Sequence, residues 1–333
     1  MKQVTLRGTP VTTSHLGFGC AGLMRLHTEA ERQRVLVAAF DQGVRHFDAA
    51  RMYGLGKVEG VLGDFIRTRR DEVTVTTKFG IQLNAYASRF GNIQSAVRRV
   101  LALSPALRRL ARRRSQALYK EQAFSVEDAR QSLETSLREL KTDYVDVFLL
   151  HECNADGLRR GDDLLGFLED ARRDGKIRCF GVATTFPNTL DICREFPAYT
   201  PVAQFDSDAL SRHIHLLPGV PHGDVPRAVV THSALSGSLD AVFQSAKSDA
   251  RRAALWSEAV GLDCSSRAVL SSLLLASCLH ANPDGVVLFH SNTADHIAFN
   301  AQVAGDGGPS KEAVSVFAGL LAADGLHARP DAA

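Results

Sequence analysis

Short apolar runs rich in β-branched and aromatic residues recur along the chain, and most are followed by a stretch whose apolar positions repeat with helical spacing. The runs predict strands at Leu16–Gly19, Val44–Asp48, Val73–Lys78, Tyr144–His151, Ile177–Val182, Val202–Phe205, Arg227–His232 and Val286–His290. The intervening spacing predicts helices over 29–42, 57–69, 125–140, 162–174, 187–195, 265–281 and 293–303. Several of these starts carry caps: Thr28 stands before Glu29-Ala30-Glu31, and Ser125 has Asp128 three residues on. Strands that alternate with helices pair in parallel through right-handed crossovers, so the pattern implies a closed barrel or a doubly wound sheet.

The sixth unit carries the weakest helix signal, because 206–226 ends in Pro218, Pro221 and Pro226. Residues 1–12 read as a small hairpin plugging the floor of a barrel. Residues 83–123 form an inserted loop and helix in the third connection, 240–262 expand the seventh, and 305–333 form a C-terminal tail with a frayed end. Neither an internal repeat nor a linker divides the sequence, so 1–333 is expected to be a single domain.

Composition narrows the function classes. The 333 residues are 45% hydrophobic and 23% charged, ordinary for a globular enzyme able to bury a large core. The 39 basic and 37 acidic residues leave a net charge of +2, which argues against a nucleic-acid partner or a funnel for acidic substrates. Six cysteines, at 20, 153, 179, 193, 264 and 278, contain no C-x-x-C pair and read as reduced thiols of a cytoplasmic protein. The N-terminus lacks the apolar run of a signal peptide. The longest apolar stretch, Val269–Leu279, is far shorter than the ~20 residues of a membrane span, so no stable membrane association is expected. Oligomeric state leaves no trace in the sequence.

In a barrel the working side chains stand at the C-terminal ends of strands. Asp48 and Tyr53 follow the second strand, Lys78 ends the third, and His151 ends the fourth. An acid, a phenol, an amine and an imidazole thus converge on one rim. Hydride reduction of a carbonyl needs a proton for the developing alkoxide and a donor that holds the oxygen. A phenol with a pKa near ~10 is a poor acid at neutral pH. A neighbouring ammonium lowers that pKa, and a carboxylate keeps the ammonium charged and placed. The roles expected are Tyr53 as acid, Lys78 as its tuner, Asp48 as the anchor of Lys78, and His151 as the donor to the carbonyl. Taken singly, each residue has a plainer reading as a solvated terminus, a cap or a structural histidine.

The stretch Phe47-Asp48-Ala49-Ala50 with Tyr53-Gly54, Glu59 and Leu62-Gly63 resembles the signature of the aldo-keto reductases. Val75-Thr76-Thr77-Lys78 is similar to that family's lysine strand, and Asp143-Tyr144-Val145-Asp146 through Leu149-Leu150-His151 to its histidine strand. The resemblance runs from about residue 14 to 303, apart from the two expanded loops. It implies a single-domain (β/α)8 TIM barrel of the α/β class, a catalytic tetrad of Asp48, Tyr53, Lys78 and His151, and a small-molecule carbonyl or alcohol substrate. Arg51, Met52, Phe79 and Glu152 are expected to border the substrate pocket.

The resemblance also implies a nicotinamide cofactor, NADP ahead of NAD. Gly19 and Cys20, ending the first strand, and Asp48 fall at cofactor contacts. Thr184 stands where the family's Ser-Asn pair would hold the carboxamide, and Gln204 matches its other carboxamide ligand. Ser233 and Leu235 match the pyrophosphate loop, with Ala234 in place of the usual proline. Ser291 and Asn300 match the adenosine-phosphate segment. His290 and His296 replace a lysine and an arginine at the 2′-phosphate, which removes charge and the bidentate fork and keeps NAD open.

Residues 97–114 hold seven arginines, with Leu103, Leu107 and Leu110 on one helical face. The segment leaves the catalytic end of the third strand, so a lid or substrate-selecting role is expected, with leucines packed on the protein and arginines in water. Two other function classes fit the sequence less well. A cofactor-binding regulatory or scaffold protein on the same barrel would not need the complete tetrad. A metal-dependent hydrolase would use His213-x-His215, but that pair lacks strand-end Asp or Glu partners, so no metal is expected.

Overall fold

The structure, a computed structural model, describes residues 1–83, 119–120, 124–159, 163–219 and 226–327. It opens with a hairpin in which β1 (Gln3–Thr5) pairs antiparallel with β2 (Thr12–Ser14). Eight parallel strands then close into one barrel. In barrel order they are β3 (Leu16–Gly19), β4 (His46–Asp48), β5 (Thr74–Phe79), β8 (Val145–His151), β9 (Ile177–Ala183), β10 (Val202–Asp206), β11 (Ala228–His232) and β12 (Val286–Phe289), which returns to β3. All eight strands expected from the sequence are present, and the open choice between barrel and doubly wound sheet is settled as a (β/α)8 barrel. The remaining strands, β6 (Gln82–Leu83) and β7 (Tyr119–Lys120), pair with each other at the neck of the inserted segment. The arginine-rich helix expected over 97–114 lies outside the described residues.

Strand alternation divides the core in two. On β4, Phe47 faces outward and meets Phe65 of α2 (Val58–Ile66) with ring centroids 5.1 Å apart. His46 and Asp48, on the other parity, point into the barrel. Outward residues of β3, β4, β5 and β8 belong to the large cluster shared with the surrounding helices. A second cluster combines Val147, Leu149, Cys179, Val202, Ala228, Val230, Val286 and Leu288 with Val4, Leu6 and Val11, so the N-terminal segment joins the inward-facing apolar set.

The helical jacket follows the expected starts. Thr28 closes a reciprocal capping box with Glu31 on α1 (Glu29–Asp41), and Ser125 caps α3 (Val126–Leu140) by accepting from the Asp128 N–H. A short α4 (Ala155–Arg159), α5 (Leu164–Arg173) and α6 (Phe186–Glu195) follow. In the sixth connection the described residues hold only a 3₁₀ segment, His213–Gly219, in keeping with the weak signal there. Two departures stand out. Residues 240–262, read as an expanded loop, fall in α7 (Ser238–Ser248) and α8 (Ala250–Val260), ahead of α9 (Arg267–Ala281). Beyond α10 (Ala294–Val303), the segment read as a tail contains α11 (Lys311–Ala323), which is capped by Ser310 and buries Val314, Phe317 and Leu321. Their spacing was a helix stripe in plain view. Asp324, just past the end of α11, accepts from Trp256 Nε1 at 3.0 Å, tying the terminal helix to α8.

Candidate active site

The inward parity that buries Val147 and Leu149 on β8 delivers His151 to the top of the barrel, and the same rule applies to the other strands. Register places Gly19 beside Asp48, Lys78 beside Leu149, His151 beside Ala183 and Ala183 beside Gln204. Asp48, Lys78, His151 and Gln204 therefore meet at the C-terminal end of the interior. A cavity of about 540 Å³ opens above it, and Asp48, Tyr53, Lys78 and His151 all reach its wall.

Lys78 and Asp48 are almost fully buried and form an ion pair, and Lys78 Nζ also donates to the Ala49 carbonyl at 2.9 Å. The second Asp48 oxygen accepts from Gln204 Nε2 at 2.9 Å. Tyr53 is delivered by a turn in which Gly54 (φ 59°) and Leu55 (φ 55°) are left-handed. A side chain at Gly54 would drive into Met24, with 2.2 Å left between carbons. Lys78 Nζ lies 5.1 Å from the Tyr53 ring centroid, and that ring meets His151 edge-on with centroids 5.8 Å apart.

Burial opposes charge on Tyr53, Lys78 and His151. It pushes the Tyr53 hydroxyl upward; Lys78 pulls the other way, but Asp48 offsets part of that pull and the net shift is up. The simple expectation that the ammonium lowers the phenol is thus outweighed here by burial. Burial likewise disfavours the Lys78 ammonium, yet Asp48 and Tyr53 more than compensate and its pKa is raised. His151 falls to about 3 through burial and the nearby charges of Lys78 and His232, so it is neutral near pH 7. One layer down, His46 is held at about 4, again mainly by burial.

Across the cavity stand Gly19, Thr184, Gln204, Ser233, Leu235 and His290. Gln204 Oε1 is buried without a hydrogen-bond partner. Thr184 donates its N–H to the Gln204 carbonyl at 3.1 Å, and Ser233 sits in a left-handed turn at φ 68°. His290 Nδ1 lies 2.9 Å from the Gly19 carbonyl, which can only accept, so this nitrogen carries the proton. The ring lies so close to Gly22 that a Cβ there would be 2.0 Å from Nε2. Burial lowers the His290 pKa, and the nearby Arg25 charge acts in the same direction. Cys20 is fully buried, its thiol directed at the Phe18 carbonyl, and does not reach the cavity. Ser291, His296 and Asn300 lie on or just before α10: Ser291 Oγ bonds within the Thr293 cap, Asn300 is buried, and His296 is exposed.

The model of the aldo/keto reductase family matches residues 15–205. The chain belongs to that family. Among its relatives, the uncharacterized oxidoreductase YqkF of Bacillus subtilis is 26% identical over 57% of this chain and 51% of its own length. The aldo-keto reductase yakc [NADP(+)] of Schizosaccharomyces pombe is 28% identical over 54% of this chain and 45% of its own. The aligned part of this chain thus spans about half the length of the curated relatives it matches. The holo form of an aldo-keto reductase from Bacillus halodurans superposes over 96% of both chains with a TM-score of 0.69, at 18% identity, a likeness of fold.

In this aldo/keto reductase the four residues expected at the substrate pocket divide. Glu152 lines the cavity. Arg51 instead forms an ion pair with the fully buried Glu59, which also accepts from Thr77 Oγ1 at 2.6 Å. Phe79 is buried and stacked on Phe148 with centroids 4.7 Å apart, and Met52 is half-buried away from the wall. Phe79 has the outward parity of β5, one residue beyond inward Lys78, which is why it cannot reach the cavity. Sequence reasoning missed His232, which does line it and whose Nδ1 lies 2.9 Å from Ser233 Oγ. The same alternation that places Ala228 and Val230 inward would have found it. Among the described residues no group of three or more His, Cys, Asp or Glu could hold a metal ion; His213 Nδ1 sits 3.1 Å from Asp206 instead. No helix among these residues is long and apolar enough to cross a membrane.

Proposed function

We propose that the chain is an NAD(P)-dependent oxidoreductase that interconverts a small-molecule carbonyl and its alcohol, with Tyr53 as general acid and base. The observation that carries this reading is the buried Asp48–Lys78 ion pair beside Tyr53, facing one cavity with neutral His151. The cavity wall also suits a nicotinamide. The unpartnered Gln204 Oε1 is an acceptor awaiting an amide N–H, beside the Thr184 hydroxyl. Gln204 and Thr184 would hold the carboxamide. Gly19, the Cys20 backbone and Asp48 would flank the ring, and Ser233 and Leu235 would face the pyrophosphate. Ser291, Asn300, His290 and His296 would meet the adenosine end.

When bound, that group supplies or accepts the hydride. The protein's own work is proton transfer and placement. Neutral His151 donates a hydrogen bond to the carbonyl oxygen and Tyr53 gives its proton to the alkoxide as it forms. Burial keeps Tyr53 protonated before reaction, and Lys78 stabilises the phenolate left afterwards. Asp48, fixed by Gln204, keeps Lys78 charged and aimed. NADP is favoured by the family resemblance and by the name of the yeast relative, while uncharged His290 favours NAD. The test is to follow absorbance of NADPH and of NADH with aldehydes, quinones and keto-sugars. Consumption of either with any of these substrates is expected; failure of both nucleotides to bind refutes the reading.

A further inference from the structure

The segment that follows β3, Cys20–Arg25, is a 3₁₀ helix, and its three-residue repeat gives it three faces. Cys20 and Leu23 form the first, both fully buried in the core. Ala21 and Met24 form the second: Ala21 lines the cavity, and Met24 abuts Gly54 in the turn that delivers Tyr53. Gly22 opens the third. A Cβ on Gly22 would run into the His290 ring, so this face looks onto the end of β12. Arg25 stands one 3₁₀ turn beyond Gly22 and shares its face.

The protein leaves that guanidinium unused. Among the described residues no ion pair or hydrogen bond holds the Arg25 side chain, which is exposed. Its charge still reaches His290, where it adds to burial in favouring the neutral imidazole, and no carboxylate among the described residues opposes it there. The backbone just beyond is fixed. Arg32 Nη2 donates to the Leu26 carbonyl at 2.9 Å, and the Thr28 capping box then starts α1. An anchored arginine beside a cavity rim, with five donors unspent, matches the fork geometry of a phosphate.

We propose that Arg25 binds a phosphate of the nicotinamide cofactor and supplies the positive charge that His290 lacks. This rests on the reading of the cavity as a nicotinamide site in which His290 meets the adenosine end. Such a ligand offers two kinds of phosphate: the diphosphate bridge common to both nucleotides, and the 2′-phosphate that NADP alone carries.

Titration calorimetry of the full chain with NADPH and with NADH, at low ionic strength, tests the proposal. A hydrogen bond to a charged group corresponds to about tenfold or more, so Arg25→Gln should weaken binding by at least about that factor. Arg25→Lys keeps the charge but loses the fork, and should retain part of the affinity. A loss confined to NADPH assigns the contact to the 2′-phosphate, and an equal loss for NADH assigns it to the diphosphate. Added salt should narrow the gap between the unaltered protein and Arg25→Gln, because an exposed charge is screened. The melting temperatures of all three proteins are expected to agree, since Arg25 bonds to nothing in the fold. Unchanged affinity of Arg25→Gln for both nucleotides, or a gap that ignores salt, overturns the proposal. If neither nucleotide binds the unaltered protein, the cofactor reading falls and this one with it.

Discussion

The rim built by β4, β5 and β8 and the rim built by β10, β11 and β12 face the same cavity but differ in how much of their bonding is already made. On the first, Lys78 is bonded to Asp48 and the Ala49 carbonyl beside the Tyr53 ring, and His151 is held neutral against that ring. On the second, a buried amide oxygen of Gln204 has no partner, Ser233 is held left-handed, and His290 is turned back onto the Gly19 carbonyl. The match to the family model stops with the first of these later strands, at residue 205. The proposed proton-transfer rim is thus complete in advance, as transition-state stabilisation requires. The proposed cofactor rim keeps an unmet bond for a ligand to complete.

The sharpest way to break this contrast is Tyr53→Phe. Loss of a positioned general acid should lower kcat/KM by about 10²–10⁴-fold while cofactor affinity, measured by fluorescence quenching, stays put. Weakened cofactor binding would mean the two rims are one unit.

A second test concerns charge in the finished rim. His46 and His151 are neutral in the fold, with pKa values near 4 and 3, against 6.5 when unfolded. Below that unfolded value the unfolded chain takes up protons that the native state refuses, so stability is fully present above it and lost as pH falls. Going from about pH 7 to about pH 5 should cost about 2 kcal/mol for each histidine, about 4 kcal/mol together, read from denaturant midpoints. A flat profile would show that the rim opens to water.

Gln204→Leu addresses the bridge between the rims. It removes the bond to Asp48 and the unpartnered oxygen, and should weaken cofactor binding by about tenfold or more, equivalent to about 1–3 kcal/mol. The smallest effect is expected from Gly22→Ala, whose Cβ must displace His290. Loss of the His290 bond to Gly19 should change cofactor affinity by about fivefold, about 1 kcal/mol, with kcat at saturating cofactor unchanged.

The contrast also explains what the sequence could reveal. Strands that bury both faces read as unbroken apolar runs, so all eight were visible, and the acid, phenol, amine and imidazole at their ends were legible because local chain order placed them there. Parity was the signal left unused: it puts His232 on the wall and takes Phe79 off it. The pairing of Arg51 with Glu59 on α2 is not legible either, because a contact between a loop and a helix has no local signature. The left-handed turn at Glu152 was hidden similarly, since nothing in the residue type announces a conformation imposed by β9. The helices α7, α8 and α11 were readable from their stripes, and expecting a standard barrel made them look like loop and tail.

One small feature bears on how such a chain can change. The pairs Gln82 with Lys120 and Leu83 with Tyr119 bring the two ends of the inserted segment side by side before the chain re-enters the barrel at α3. The strand pair thus holds the two ends of that segment together, and the cost of closing a loop grows slowly with its length. With its ends clasped in this way, the length of chain between Leu83 and Tyr119 can change while the partners of the clasp stay side by side. Selection could then vary the length and sequence between the clasped ends at one rate and the residues at the strand ends at another.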